Sequence, residues 1–164
     1  MIRVRSAALS CLALAMAGCT DSPAEPQVVH SGQAYAAVVR WLVDREGPTD
    51  TASDELPIVY VAPVEGGVIG ADDQVGVVAE VHDVAVVRFA DVADDALDLE
   101  TDDRAVKEGG VLLIVGPVAE GASPIEVEVL EYHRIGDEQS WLCRVGGSTT
   151  TGFEVTSSSV TGSG

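Results

Sequence analysis

The sequence predicts an α+β domain in which an N-terminal helix packs on a curled, mainly antiparallel sheet. Three observations support this class. A stretch beginning near residue 31 has apolar residues at helical spacing, several short runs rich in valine have the length of strands, and the last third alternates apolar and polar residues. A length of 164 residues suits one such domain.

The first helix is predicted to begin at Ser31 or Gly32, either of which can cap a helix, and to end near Glu46. Its apolar residues follow the i, i+3, i+4, i+7, i+8 spacing and give it one face to bury: Tyr35, Val38, Val39, Leu42 and Val43. The Gly-Pro pair at 47–48 is typical of a helix end, because glycine takes the left-handed conformation and proline cannot continue the hydrogen bonding. Trp41 flanks the apolar face and is interpreted as a packing residue.

The middle of the chain contains three predicted strands, at 56–64, 84–90 and 111–118. The last of them is the most apolar and is expected at the centre of the sheet. Residues 72–81 are predicted to form a short helix, because two acids in its first turn suit the helix dipole. An internal glycine weakens this prediction, and a strand over 71–81 is the alternative.

The last third is predicted to be a three-stranded antiparallel meander with one acidic, solvated face. Apolar residues alternate with polar ones in each of its strands: Ile125, Val127 and Val129, then Trp141, Cys143 and Val145, then Phe153 and Val155. Residues 157–164 are rich in serine and glycine and are expected to be a disordered tail.

The N-terminal 18 residues are predicted to be an export signal that is removed from the mature protein. Two arginines, Arg3 and Arg5, precede an apolar stretch over about residues 7–17. A helix of about eleven residues rises about 16 Å, roughly half of a bilayer core, so it is too short for a permanent span. A basic start, a short apolar segment and small residues at its end are typical of a signal peptide.

The end of this segment, Met16-Ala17-Gly18-Cys19, resembles the lipobox of bacterial lipoproteins. The resemblance implies that the Cys19 sulfur receives a diacylglyceryl group and that a peptidase cleaves before Cys19. It also implies that fatty chains such as palmitate hold the protein on the extracytoplasmic side of the cell envelope. A thiol suits this role because its thiolate is a strong nucleophile. Two or more acyl chains give stable membrane attachment.

Two alternatives to the lipid anchor stay open. Residues 15–17 also fit the A-x-A pattern, whose cleavage would release a secreted protein, and the segment could remain as an uncleaved anchor. Residues 19–29 contain two prolines and small polar side chains and are predicted to be a short tether. The α+β domain is then expected over residues 30–156.

The net charge limits the partners of the protein. The chain carries −18 at pH 7, and loss of residues 1–18 would leave −20 and a single lysine, Lys107. So acidic a chain is repelled by phosphate backbones and by anionic headgroups, which excludes nucleic acid as a partner. The membrane is therefore expected as a partner through the lipid on Cys19 alone. The further partner is expected to be a protein or a small ligand, and the charge does not identify it.

The cysteines and histidines predict neither a disulfide nor a zinc site. Cys11 leaves with the signal and Cys19 is the proposed lipid site, so Cys143 has no partner and is interpreted as a small buried hydrophobe. The three histidines, at 30, 82 and 133, have no ligand partner at helical spacing and no cysteine pair beside them. We therefore predict no metal and no cofactor.

Residues 91–103 hold seven acids in thirteen positions and are the most prominent polar feature. Six of them could offer oxygens to calcium: Asp94, Asp95, Asp98, Glu100, Asp102 and Asp103. The run lacks the alternating acids and the central glycine of an EF-hand loop. An exposed charged turn is the preferred interpretation, and weak calcium binding is the alternative.

Glu131 and His133 are the one candidate acid–base pair. They lie two residues apart on a predicted strand and so share a face, where a carboxylate can raise the pKa of an imidazole. A surface pair without catalytic role is the alternative. The chain has no G-x-S-x-G, S-x-x-K or H-E-x-x-H motif and no phosphate-binding loop. No catalytic residue is assigned, and the sequence favours a non-enzymatic binding or interaction module.

Overall fold

The computed structural model describes residues 31–47, 55–119, 122, 124–148 and 151–163. The predictions on the signal peptide, Cys19, the tether and His30 lie outside these residues. The described elements follow in chain order: α1 (Ser31–Glu46), β1 (Ile58–Pro63), α2 (Ala71–Val81), β2 (Val86–Phe89), β3 (Val111–Val115), β4 (Ile125–Arg134), β5 (Asp137–Ser148) and β6 (Gly152–Ser163). Two short 3-10 turns, Ala93–Ala96 and Lys107–Gly109, lie between β2 and β3.

The strands form one six-stranded sheet in the order β2-β1-β3-β4-β5-β6. β1 runs parallel to both β2 and β3, and the other neighbours are antiparallel. The α+β class is confirmed, but the sheet is mixed where the sequence predicted a mainly antiparallel one. The reason is that α2 carries the chain back from β1 to β2, which leaves these strands parallel. The strands β4, β5 and β6 form the predicted antiparallel meander.

Helix α1 lies on the face of the sheet that holds the main core. Four of the five predicted apolar positions are buried and Val43 is half-buried, while Ala34, Ala36 and Ala37 are buried as well. The additional burial has a physical cause, because α1 packs against α2 as well as against the sheet. At the contact, the Gly32 N–H donates to the Asp73 carboxylate at 2.8 Å. The helix predicted over 72–81 is confirmed by α2, against the alternative strand over 71–81.

The opposite face of the sheet is partly covered by the acidic run at 91–103. Ala96 and Leu97 of this run are buried against Tyr60 and Leu112 of the sheet, and Leu97 forms an isolated antiparallel bridge with Val106. Lys107 Nζ donates to the Asp95 carbonyl at 2.7 Å. The run is therefore a loop whose two apolar side chains hold it on the sheet, while most of its carboxylates face solvent.

Strand β6 is longer than the sequence predicted. It continues to Ser163, which pairs with Gln139, whereas a disordered tail was expected over 157–164. Its register shifts twice against β5, leaving Thr156 and Thr161 as the unpaired extra residues. The serine-rich stretch is in a strand because β5 supplies a backbone partner for it, which no local pattern in the sequence reveals.

Candidate functional site

Glu131 is the buried charged residue of the described chain, with 6 % of its side chain exposed. It lies on β4 two residues beyond Val129 and therefore on the face that α1 covers. Its neighbour across the sheet is Leu113 of the main core. A carboxylate in such surroundings is stable only where donors and a positive charge compensate for the lost water.

Three side chains supply that compensation. Arg45 Nη2 donates to Glu131 Oε1 at 2.5 Å, and Trp141 Nε1 donates to Oε2 at 2.9 Å. His133 Nε2 lies 3.2 Å from Oε1, which fits the tautomer that carries its proton on Nε2. The predicted meeting of Glu131 and His133 on one face is confirmed, whereas the contributions of Arg45 and Trp141 were not predicted.

The guanidinium of Arg45 lies against two indole rings. Its central carbon is 4.9 Å from the ring centroid of Trp41 and 4.6 Å from that of Trp141. The two rings meet edge to face, with centroids 5.1 Å apart. Trp41 lies one turn before Arg45 on α1, so the helix itself places the two side chains together. We call Arg45, Glu131, His133 and the two tryptophans the Glu131 cluster. Trp41 is a packing residue, as predicted.

The Glu131 cluster holds its carboxylate in the ionised form. Burial acts to raise the pKa of Glu131, but the hydrogen bonds from His133 and Arg45 and the charge of Arg45 outweigh it, so the pKa lies below its ordinary value. A general base needs a proton affinity near the working pH. Glu131 is thus suited to a fixed ion pair and poorly suited to proton transfer.

Glu46, the last residue of α1, adds a second carboxylate that the sequence did not connect with this cluster. Its Oε1 lies 3.3 Å from His133 Nε2 and 3.8 Å from Arg45 Nη2. Burial, assisted by the charge of Glu131, raises the pKa of Glu46 above its ordinary value, against the opposing effects of His133 and Arg45. The sequence gave no signal of this contact, because Glu46 at the end of α1 is far from β4 along the chain.

Glu46, Glu131 and His133 are also the residues best placed to hold a metal ion. One ligand atom from each lies within 4.8 Å of the other two, and carboxylate with imidazole is a donor set used by zinc, manganese and iron. However, the guanidinium of Arg45 already occupies Glu131 Oε1 and supplies a positive charge at this point. An added cation would have to share that oxygen and would be repelled by Arg45.

A polar cleft of about 220 Å³ opens beside Glu131 and His133. Its other walls come from Gly136 in the turn between β4 and β5 and from the first three residues of β5, Asp137, Glu138 and Gln139. His133 sits where the β4–β5 register shifts, which turns this end of the strand toward the cleft. The candidate pair therefore reaches solvent through a cleft lined almost wholly by polar groups.

The remaining residues singled out by the sequence lie outside the Glu131 cluster. Cys143 is fully buried, and burial raises the pKa of its thiol to about 11, which confirms the interpretation as a small buried residue. His82 is exposed, with Nδ1 2.9 Å from the Ala79 carbonyl. Within the described ranges, the carboxylates of the acidic run form no group of three converging ligand atoms.

A second, larger cleft of about 570 Å³ lies between the last turns of α1 and the start of β6. We call it the α1–β6 cleft; its main lining residues are Arg40, Trp41, Asp44, Phe153, Glu154 and Val155. Arg40 pairs with Asp83 at 2.9 Å. In contrast, neither the Asp44 carboxylate nor the Glu154 carboxylate has a hydrogen bond or ion pair within the part of the chain that the structure describes. The sequence gave no signal for this cleft.

Comparison with models of known families, with curated proteins and with solved structures returns no match to this chain. Neither of the two described helices is long and apolar enough to cross a membrane.

Proposed function

We propose that this chain is an exported lipoprotein whose acidic α+β domain binds another protein at the cell envelope without catalysing a reaction. The observation that carries the binding role is the α1–β6 cleft, which lies beside an outer sheet strand and has two carboxylates, those of Asp44 and Glu154, without an ion pair among the described residues. A curl of the sheet over α1, expected from the sequence, would place this cleft on the concave side.

The anchor in this proposal rests on the lipobox resemblance of residues 16–19. Two acyl chains on Cys19 would hold the protein at a membrane surface, and the tether at 19–29 would separate the domain from the headgroups. A net charge of −20 after cleavage would keep the domain away from anionic lipid. Such an arrangement leaves the domain accessible to proteins of the same compartment.

The state of Glu131 supports a binding role over an enzymatic one. Its carboxylate is bound by Arg45, Trp141 and His133, so it cannot take up a proton without loss of these contacts. The other strongly buried ionisable side chain of the predicted set, Cys143, is kept protonated. Both groups therefore have the properties expected of parts of a core.

The alternative is an envelope enzyme that uses Glu131 and His133 as an acid–base pair, and one observation favours it. Both residues line the polar cleft of about 220 Å³. Glu46, whose Oε1 lies 3.3 Å from His133 Nε2, has a raised pKa and could replace Glu131 as the proton acceptor. Replacement of His133 by glutamine separates the two functions. It would abolish catalysis at this cleft, and it would leave binding at the α1–β6 cleft intact, because His133 does not line that cleft.

The anchor is tested by mass spectrometry of the native protein from the membrane fraction. We expect a mature N-terminus at Cys19 that carries a diacylglyceryl group, and we expect Cys19→Ser to leave the chain unlipidated. A native protein that begins before Cys19 without fatty chains would contradict the proposal.

The binding role is tested by photocrosslinking in intact cells from position 154, with position 91 as the control. A partner captured equally at both positions would count against a specific surface.

A further inference from the structure

We propose that the outer edge of β6 accepts an extended, basic segment of a partner protein as an additional strand, whose alternate side chains enter the α1–β6 cleft. The inference rests on the proposed function and names the chemistry of the partner. It joins three observations: a strand edge that is open in the described chain, a cleft beside that edge, and two carboxylates, those of Asp44 and Glu154, without an ion pair among the described residues.

The edge of β6 is long and has few protective features. β6 is the last strand of the sheet and pairs with β5 alone, so the backbone groups that point away from β5 have no strand partner in the described part of the chain. The strand spans twelve residues without a proline or a lysine, which are the usual means of blocking an edge. Its two bulges, at Thr156 and Thr161, leave the first four residues as a regular segment.

The α1–β6 cleft begins at this regular segment. Phe153 and Val155 point from β6 toward α1 and are half-buried, and Trp41 of α1 forms the opposite apolar wall. Successive side chains of an added strand would point alternately toward the helix and away from it. Every second side chain of the partner would thus enter the cleft, while its backbone would pair with β6.

The charges of the cleft select a basic partner. Its two arginines are engaged, Arg40 with Asp83 and Arg45 with Glu131. Asp44 and Glu154 are exposed, line the same cleft and have no ion pair in the described ranges. Asp44 lies on the helix side of the edge, and Glu154 alternates with Phe153 and Val155 and so projects from the other face of β6. A lysine or arginine of an incoming strand would pair with Asp44 from one face and with Glu154 from the other, and the overall charge of −18 would attract such a segment.

A second copy of the chain does not fit this edge. β6 itself contains no lysine or arginine, so two β6 strands would bring two Glu154 carboxylates to one interface without a counter-charge. Two molecules of −18 each also repel one another. The occupant is therefore a segment of a different protein.

The test uses three synthetic peptides and the full-length mature chain in detergent, with binding measured by fluorescence anisotropy. The first peptide has nine residues of alternating valine and lysine. The second has glutamate in place of lysine, and the third is the first with N-methyl groups on alternate backbone amides. We expect the lysine peptide to bind. We expect no binding of the glutamate peptide, and a loss of binding for the N-methylated one because it cannot pair as a strand.

Charge variants locate the binding. Asp44→Asn and Glu154→Gln should each weaken the lysine peptide about threefold, which is the range of an exposed ion pair. Asp91→Asn is the matched control, since Asp91 is exposed and lies on the loop after β2. If the N-methylated peptide bound as tightly as the lysine peptide, strand addition would be overturned. If Asp91→Asn weakened binding as much as Asp44→Asn and Glu154→Gln, the placement of the peptide at the α1–β6 cleft would be overturned.

Other outcomes separate this inference from the proposed function. A dimer in light scattering that Glu154→Gln strengthens would overturn the basic partner in favour of a second copy. Specific crosslinks in cells from a surface other than β6, together with absent peptide binding, would overturn the strand addition and leave the interaction role standing. Specific crosslinks from position 154 together with peptide binding would support both.

Discussion

The guanidinium of Arg45, in the last turn of α1, donates to the carboxylate of Glu131 on β4 at 2.5 Å. The two residues are 86 positions apart, and the contact joins the end of the first helix to the first strand of the meander. Because Glu131 is buried, the ion pair is a condition for packing α1 on this part of the sheet.

Arg45→Met should therefore destabilise the fold strongly. It would leave a buried carboxylate without its counter-charge, at a cost of about 3 kcal/mol in the free energy of unfolding. The double variant Arg45→Met with Glu131→Gln should recover most of this loss, because the amide oxygen can still accept from Trp141. Urea unfolding of the two variants measures the difference.

Arg40→Met is the matched control for this prediction. Arg40 also lies on α1 and pairs with Asp83, but both side chains are exposed. Its replacement should change the free energy of unfolding by at most about 1 kcal/mol. If Arg45→Met were no more destabilising than Arg40→Met, the ion pair of Arg45 with Glu131 would not contribute to the stability of the core.

Much of this cluster could not have been predicted from the sequence. The shared face of Glu131 and His133 follows from the two-residue period of a strand. Helix α1 follows from its apolar spacing and from the glycine after it, which takes a φ of 67°. Arg45 and Trp141 gave no such signal, because their meeting with Glu131 depends on how α1 lies across the meander and no local pattern encodes that.

The same distinction explains the errors in the fold. The parallel pairing of β1 with β3 joins segments separated by α2 and the acidic run, and either orientation is compatible with their apolar composition. The serine-rich end of β6 has low apolar content and resembles a tail, yet β5 is long enough to pair with it to Ser163. In both cases a tertiary partner decided what local composition left open.

Glu131 and the neighbouring Glu46 should give opposite pH dependences of stability. The pKa of Glu131 is lowered in the folded state, so its stabilising contribution is present above the ordinary value of 4.5 and is lost as the pH falls below it. The pKa of Glu46 is raised, so its contribution is present below 4.5 and is lost as the pH rises above that value.

Glu46→Gln should therefore reduce the decrease in the free energy of unfolding that occurs as the pH rises above 4.5. Its effect on the decrease in stability below pH 4.5 should be small. Free energies of unfolding from urea titrations between pH 3 and pH 8 test this, with Asp91→Asn as the control for a change in total charge. A variant that altered the acid limb alone would show that Glu46 and Glu131 have been assigned the wrong signs.

Cys143 should be unreactive in the folded protein. The side chain is fully buried, and burial raises the pKa of the thiol to about 11, so very little thiolate exists at pH 8. In a chain with Cys11→Ser and Cys19→Ser, a disulfide reagent should label Cys143 only after urea unfolding. Rapid labelling without denaturant would mean that the core near β5 opens readily.

Two glycines at the contact of α1 and α2 should respond in opposite directions to alanine. A Cβ atom at Gly32 would lie 2.8 Å from the Asp73 carbonyl oxygen, which is backbone and cannot rotate away. Gly32→Ala should therefore push the helices apart and destabilise the fold by about 1–3 kcal/mol.

At Gly76, inside α2, the nearest atom to a new Cβ is 3.9 Å away. Gly76→Ala should instead stabilise by about 0.5–1 kcal/mol through helix propensity. Thermal unfolding of the two variants tests this, and a Gly32→Ala variant as stable as the wild type would show that α1 and α2 are not in close contact at this point.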